Sequence, residues 1–243
     1  MLNYLFRANA NNNGVYLSAI YDLDSNPVLI KKSSTTLSTI SRLKKEVRGA
    51  NWYAKNSNEK LISQIIDLPS YYSVSFDYIL GKKANYRFGY WKNRKFIEEG
   101  LKKYCEIWSK LSSNEIVIHG DYSLDNLIFG EANICIIDWE HFSESNIPIG
   151  FDALNLIYEQ LYFLPPSKRL DDDILDHAIS MLKKLNDLNC LDKKYWNTPL
   201  FTLRRYISSN SEIWGSQIHK LPIMKLSDID VEKLDQKLCL REI

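Results

Sequence analysis

From Val117 to Phe142 the chain reads VIHGDYSLDNLIFGEANICIIDWEHF. Three short apolar runs, Ile116–Ile118, Leu127–Phe129 and Ile134–Ile137, are crowded together and separated by turn-forming and acidic residues. Runs of this length, bounded by such residues, read as buried strands rather than helices. Two carboxylates, Asp121 and Asp138, and one amide, Asn126, therefore stand where buried strands end. A hairpin-like return from Leu127–Phe129 to Ile134–Ile137 would bring Asn126 and Asp138 together.

The residues before this stretch read as strands followed by a helix. Val15–Tyr21 and Val28–Lys32 are β-rich, and DLDSNP between them has the composition of a hairpin turn. In TTLSTISRLKKEVRGANWYAKN, Leu37, Ile40, Leu43, Val47 and Ala50 recur at helical spacing behind a Ser/Thr cluster able to cap the helix. YYSVSFDYILGKK reads as a strand ending near Gly81. NRKFIEEGLKKYCEIWSKLSS reads as an amphipathic helix whose apolar face is Phe96, Ile97, Leu101, Tyr104, Cys105, Trp108 and Leu111. After Gly150 the pattern is helical to about Tyr206, and the tail from Ser208 has no clear period. The order is a small β-rich lobe, residues 1–80, then a larger and mostly helical lobe, residues 81–243. The fold class is α+β.

At 243 residues the chain can bury a substantial core. Apolar residues make up 45% and charged residues 25%, the balance of a globular protein. A net charge of +1 supplies no field for nucleic acid. Cys105, Cys135, Cys190 and Cys239 form no C-x-x-C pair and have no histidine at zinc-ligand spacing, so they read as reduced thiols of a cytoplasmic protein. The N-terminus lacks signal-peptide character, and no apolar run is long enough to span a bilayer, which leaves peripheral membrane contact open.

Phosphoryl transfer from a nucleotide needs a carboxylate to orient and deprotonate the attacking hydroxyl. It also needs hard oxygen ligands for magnesium. HGDYSLDN offers Asp121 as the base and Asn126 five residues on, and IIDWE offers Asp138 as a second carboxylate. These two elements, H-G-D-x-x-x-x-N and I-D-W-E, resemble those of the aminoglycoside phosphotransferase and choline kinase-like family, relatives of protein kinases.

That resemblance spans roughly residues 11 to 160 and implies a two-lobed protein kinase-like fold using ATP and Mg2+. It implies that Asp121 is the catalytic base, that Asn126 and Asp138 hold magnesium, and that His119 braces the loop. It asks for a lysine on a strand paired with a glutamate on the next helix. PVLIKKSS offers Lys31 or Lys32, with Lys31 favoured by a V-x-I-K alignment. RLKKEVRGANWYA offers Glu46, with Trp52 six residues on. The phosphate-covering loop falls on Asn13 and Gly14, the adenine contacts on the Asp77 carbonyl and the Ile79 N–H. Asp152 would brace the catalytic loop and open a helix; Glu140 would either approach the metal through water or remain solvated.

The reaction implied is ATP- and Mg-dependent transfer to the hydroxyl of a small molecule: a sugar or glycan first, then an amino alcohol such as choline, or an aminoglycoside. The aromatics Trp139, Tyr195, Trp196, Tyr206 and Trp214 would either line the acceptor pocket or fill the core. The acids Asp171–Asp173 read as a complement to a helix dipole. A protein kinase is disfavoured by H-G-D in place of H-R-D and by the lack of an A-P-E segment. A pseudokinase serving as a binding module is disfavoured by the presence of all four motif residues.

Overall fold

The computed structural model describes residues 14–84, 89–111, 117–144 and 146–239, and residues 2–6 as backbone alone. The chain forms two compact units, one from residues within 1–81 together with Cys135–Phe142, the other from the rest. A single cut along the chain has no place for the return of Cys135–Phe142. The architecture is α+β, with an antiparallel sheet in the first unit and mostly helices in the second.

The first unit holds β1 (Leu2–Phe6), β2 (Tyr16–Tyr21), β3 (Pro27–Ser34), α1 (Leu37–Ser57), β4 (Ile62–Leu68) and β5 (Tyr71–Asp77). The sheet order is β1-β2-β3-β5-β4, and all pairs are antiparallel. The sequence pattern shows β2, β3 and β5 but not β1 or β4. In β4, ISQIIDL, the alternation that reveals a half-buried strand is absent, because it is an edge strand with Ser63–Ile65, Asp67 and Leu68 all exposed. Between β2 and β3, Asp22 Oδ1 accepts from the N–H groups of Asp24 and Asn26, the local bonding that makes DLDSNP a turn.

Helix α1 packs Ile40, Leu43 and Val47 against Tyr72 and Val74 of β5. Leu37 belongs to the same apolar period but is 77% exposed, since it sits on the first turn before the helix reaches the sheet. The cap is unlike the one expected: Thr36 occupies the N-cap without a side-chain bond, and its own N–H goes to Ser34 Oγ. Further along α1, Trp52 and Tyr53 meet Trp139 at 5.7 and 5.3 Å between ring centroids. Trp52 also lies 6.2 Å from Phe142. Gly49 makes this approach possible, because a Cβ there would stand 2.7 Å from the Cβ atoms of both Trp139 and Phe142.

In the second unit α2 (Tyr90–Trp108) is followed by β6 (Val117–Ile118), β7 (Leu127–Phe129) and β8 (Ile134–Ile136), where the chain crosses into the first unit. After the return come β9 (Ser143–Glu144), paired with β6, then α3 (Phe151–Tyr162), α4 (Asp172–Asp187), α5 (Pro199–Ser209) and α6 (Asp228–Leu238). Ile116, read with the first apolar run, lies outside the described residues. Helix α2 begins earlier than its polar sequence suggests, at Tyr90, whose hydroxyl bonds His177 Nδ1 on α4 at 2.8 Å. His177 Nε2 in turn bonds Glu98, so one imidazole ties α4 to α2 twice.

Three aspartates open α4: Asp171 at the N-cap, Asp172 and Asp173 in the first turn, the placement a helix dipole favours. Trp139, Tyr195 and Trp214 are buried, so these aromatics are core. The tail from Ser208 adds three short 3-10 turns and α6 to the second unit and buries Ile213, Leu221, Ile223, Val231 and Leu234. Asp235 of α6 caps α5 by accepting from the N–H groups of Leu200 and Phe201. Burial pushes its carboxyl up to about 6. Among the described residues, no helix is long and apolar enough to cross a membrane.

Gly49 and Gly100 are both helical, and helix propensity alone would make alanine the better residue at each by about 1 kcal/mol. At Gly100 the nearest atoms to a new methyl are the mobile ends of Leu127 and Leu156, whereas at Gly49 they are two Cβ atoms fixed by backbone. Gly49→Ala is expected to destabilise by about 1–3 kcal/mol and Gly100→Ala by less, as measured by urea unfolding.

Candidate active-site residues

In the first unit the lysine, the glutamate and one motif aspartate meet. Lys32 Nζ lies 2.6 Å from Glu46 Oε1 and 2.6 Å from Asp138 Oδ1. This corrects the assignment to Lys31. Register decides the matter: Lys32 stands opposite Val74, which is 0% exposed, on the face that α1 covers, while Lys31 stands opposite Ser75 on the other face. Successive strand residues point to opposite faces, so a one-residue misalignment reverses the assignment. Lys31 Nζ instead lies 5.9 Å from the Tyr71 ring centroid.

The trio carries two acids and one base. Burial pushes the Glu46 carboxyl up to about 7, the Lys32 ammonium opposes that shift, and Asp138 and Glu140 add to it. Burial alone would lower the Lys32 pKa, but Glu46 and Asp138 together hold it above its usual value. Glu140 lies beside this group, its carboxylate 3.4 Å from Arg42 Nε on α1 and 3.4 Å from His141 Nε2. Asp138 has φ +62°, a left-handed backbone that few non-glycine residues adopt.

The first unit also holds the remaining nucleotide-binding candidates. Asp77 closes β5 with its N–H on the Leu61 carbonyl, and Ile79 follows Tyr78, whose N–H goes to the Val28 carbonyl. Gly14 has φ +81° and approaches Thr36 at the start of α1. Asn13 lies outside the described residues.

In the second unit the loop His119–Asn126 is held by its own neighbours. Asp152, on the first turn of α3 and 1% exposed, accepts from His119 N at 2.7 Å and from Gly120 N at 2.9 Å. Burial pushes its carboxyl up to about 7 against these two amides. The Asp121 N–H points to His119 Nδ1 at 3.3 Å, which requires that nitrogen to carry a lone pair. Asn126 Nδ2 donates to Asp121 O at 2.8 Å and to Asp121 Oδ2 at 3.0 Å. Both its amide protons are thus directed at Asp121, which leaves Asn126 Oδ1 as the atom able to meet a hard cation.

Two residues here have places at the loop that sequence reasoning does not reveal. Glu159, two turns along α3 from Asp152, is held well above the usual carboxylate range by burial first and then by the charges of Asp121 and Asp125. Trp214, in a tail without periodicity, donates from Nε1 to the Gly120 carbonyl at 2.7 Å.

Among the described residues, no three or more His, Cys, Asp or Glu side chains gather as a metal cluster. Magnesium in phosphoryl transfer takes few protein oxygens and completes its shell with phosphate and water. One carboxylate and one amide oxygen, Asp138 and Asn126, have the chemistry it requires.

No family model matches this chain, and no curated relative does. Among solved structures, it is similar to the streptomycin–ATP–APH(2")-IIa ternary complex, with 11% identity, 93% of this chain and 94% of that one covered, and a TM-score of 0.47. A likeness of that size decides neither fold nor chemistry, which rest on the residues themselves.

Three outcomes are expected. Glu46 titrates near 7 when folded and near 4.5 when unfolded, so the folded state binds the extra proton between those values. Its contribution to stability is therefore full below pH 4.5 and declines as pH rises through about 7. Asp138→Asn removes a neighbouring negative charge and is expected to lower the Glu46 pKa, read by carboxyl NMR titration. Asp152→Asn keeps one acceptor and places an amide donor against one of the two backbone donors, and is expected to destabilise by about 1–3 kcal/mol in urea unfolding.

Proposed function

We propose that this chain is an ATP- and Mg-dependent phosphotransferase acting on the hydroxyl of a small molecule. The observation that carries the reading is the Lys32–Glu46–Asp138 cluster. Its members come from a strand, a helix and the I-D-W-E element, far apart in sequence, and they are the residue types the motif resemblance asks for. In this reading Lys32 holds the nucleotide phosphates and Glu46 orients it. Asn126 and Asp138 supply oxygens to magnesium, which when bound neutralises charge on the transferring phosphoryl group.

Asp121 aligns the acceptor hydroxyl and takes its proton. His119 and Asp152 hold the loop that carries Asp121. Asp77, Ile79 and Gly14 face the nucleotide through backbone groups. The acceptors, in order of preference, are a sugar or glycan, an amino alcohol, and an aminoglycoside. Most of the rate then comes from positioning and preorganised charge.

The test is ADP release from magnesium–ATP across a panel of sugars, amino alcohols and aminoglycosides. Asp121→Ala is expected to abolish transfer and spare magnesium-dependent nucleotide binding; transfer that survives it would sink the mechanism. Lys32→Ala is expected to weaken ATP binding and slow turnover, while Lys31→Ala leaves both within about twofold. No nucleotide binding in the unmodified protein would point instead to a binding module.

A further inference from the structure

The loop that carries Asp121 is held at three consecutive peptide units. The His119 N–H and the Gly120 N–H both end on the Asp152 carboxylate. The third unit joins Gly120 to Asp121. Its N–H points to His119 Nδ1, and its carbonyl accepts from Trp214 Nε1 at 2.7 Å. The orientation of this last unit sets the direction in which the Asp121 side chain leaves the backbone. Gly120, with φ +82°, has no side chain to restrain that orientation itself. The N–H of this unit is restrained from within the loop, by His119, and the restraint on its carbonyl comes from outside.

Trp214 is built to supply it. The residue is 3% exposed, and its ring packs against Phe151 at 5.7 Å between centroids. Phe151 directly precedes Asp152 on α3, so both restraints on the loop are anchored at the same helix start. Gly215, with φ +53° and open space where a Cβ would go, turns the chain immediately after the indole. A buried indole N–H takes an acceptor where it can, as Trp108 does on Val117 O and Trp139 on Ile136 O; what distinguishes Trp214 is that its acceptor belongs to the loop that carries Asp121. Trp196 is the contrast within the same unit, since its Nε1 is buried with no hydrogen-bond partner among the described residues.

We propose that Trp214 is a positioning residue for Asp121. By holding the Gly120 carbonyl, its indole N–H fixes the peptide plane from which the base is aimed, and the C-terminal segment thereby takes part in the reaction. The inference rests on the functional reading above, in which Asp121 is the base.

Three replacements test it: Trp214→Phe, benzothienylalanine at position 214, which keeps the bicyclic shape and lacks the N–H, and Trp196→Phe as a matched loss of an indole elsewhere. With the best acceptor from the panel, both changes at 214 are expected to lower kcat about ten- to hundredfold and to leave KM for ATP within about twofold. Amide exchange of the 117–123 segment is expected to quicken in the same two proteins, and Trp196→Phe is expected to change neither. Equal losses from Trp196→Phe, or faster exchange at the loop with undiminished kcat, would overturn the proposal. Should Trp214→Phe fail to fold, the isosteric benzothienylalanine protein decides alone. An unmodified protein that binds magnesium–ATP and transfers to nothing, water included, would end the functional reading and this inference with it, whereas loss of kcat confined to position 214 separates the two.

Discussion

A lysine ammonium drawn away from water needs an answering charge, and the part-buried Lys32 has two. Removing an ammonium from water costs several kcal/mol, which only close and well-oriented partners offset. Glu46 comes from a helix and Asp138 from a segment about a hundred residues downstream, and each lies 2.6 Å from Nζ. The sheet, α1 and the returning segment Cys135–Phe142 are thus tied to one atom. The tie leaves an excess negative charge, and Glu46 is displaced upward first by its burial and then by the charges of Asp138 and Glu140. Ordinary packing completes the unit around it: Gly49 admits Trp139 and Phe142 against α1, and Trp52 and Tyr53 cover them.

The second unit solves the same problem with the opposite sign. Asp152 is a buried carboxylate that accepts from two backbone amides. Hydrogen bonds from N–H groups favour its charged form, and burial outweighs them. The outcome is a rigid turn at His119–Gly120, stiffened further by Asn126 and Trp214. Preorganisation of this kind suits the role proposed for Asp121, since geometry rather than reactivity limits a carboxylate that must take a proton from a hydroxyl. Asp235 repeats the device at the start of α5, where it serves packing alone.

Legibility in the sequence followed the strength of the local pattern. Helices α1 and α2 announced themselves through apolar residues at helical spacing, and β2, β3 and β5 through β-rich runs between turns. Strand β4 gave no signal because its outward positions carry isoleucine and leucine as well as polar residues, and β1 fell in a segment whose pairing is decided by β2. The choice between Lys31 and Lys32 was a matter of face, and a motif alignment carries no information about which face a helix will cover. Trp214 was visible only as one aromatic among several.

The sequence by itself determined which residue types were available for chemistry and in what order: a lysine pair on a strand, a glutamate on the following helix, and the two motifs around Asp121 and Asp138. It did so because short motifs and periodic helices are encoded by neighbouring residues, whose interactions do not wait for the rest of the chain. The tertiary structure alone decided which lysine pairs with Glu46 and Asp138, that Cys135–Phe142 returns to the first unit, and that an indole from the C-terminal segment closes on Gly120. Each of these depends on register or on contacts between residues distant in sequence, where the free energy of burying one group is set by partners that no local pattern names.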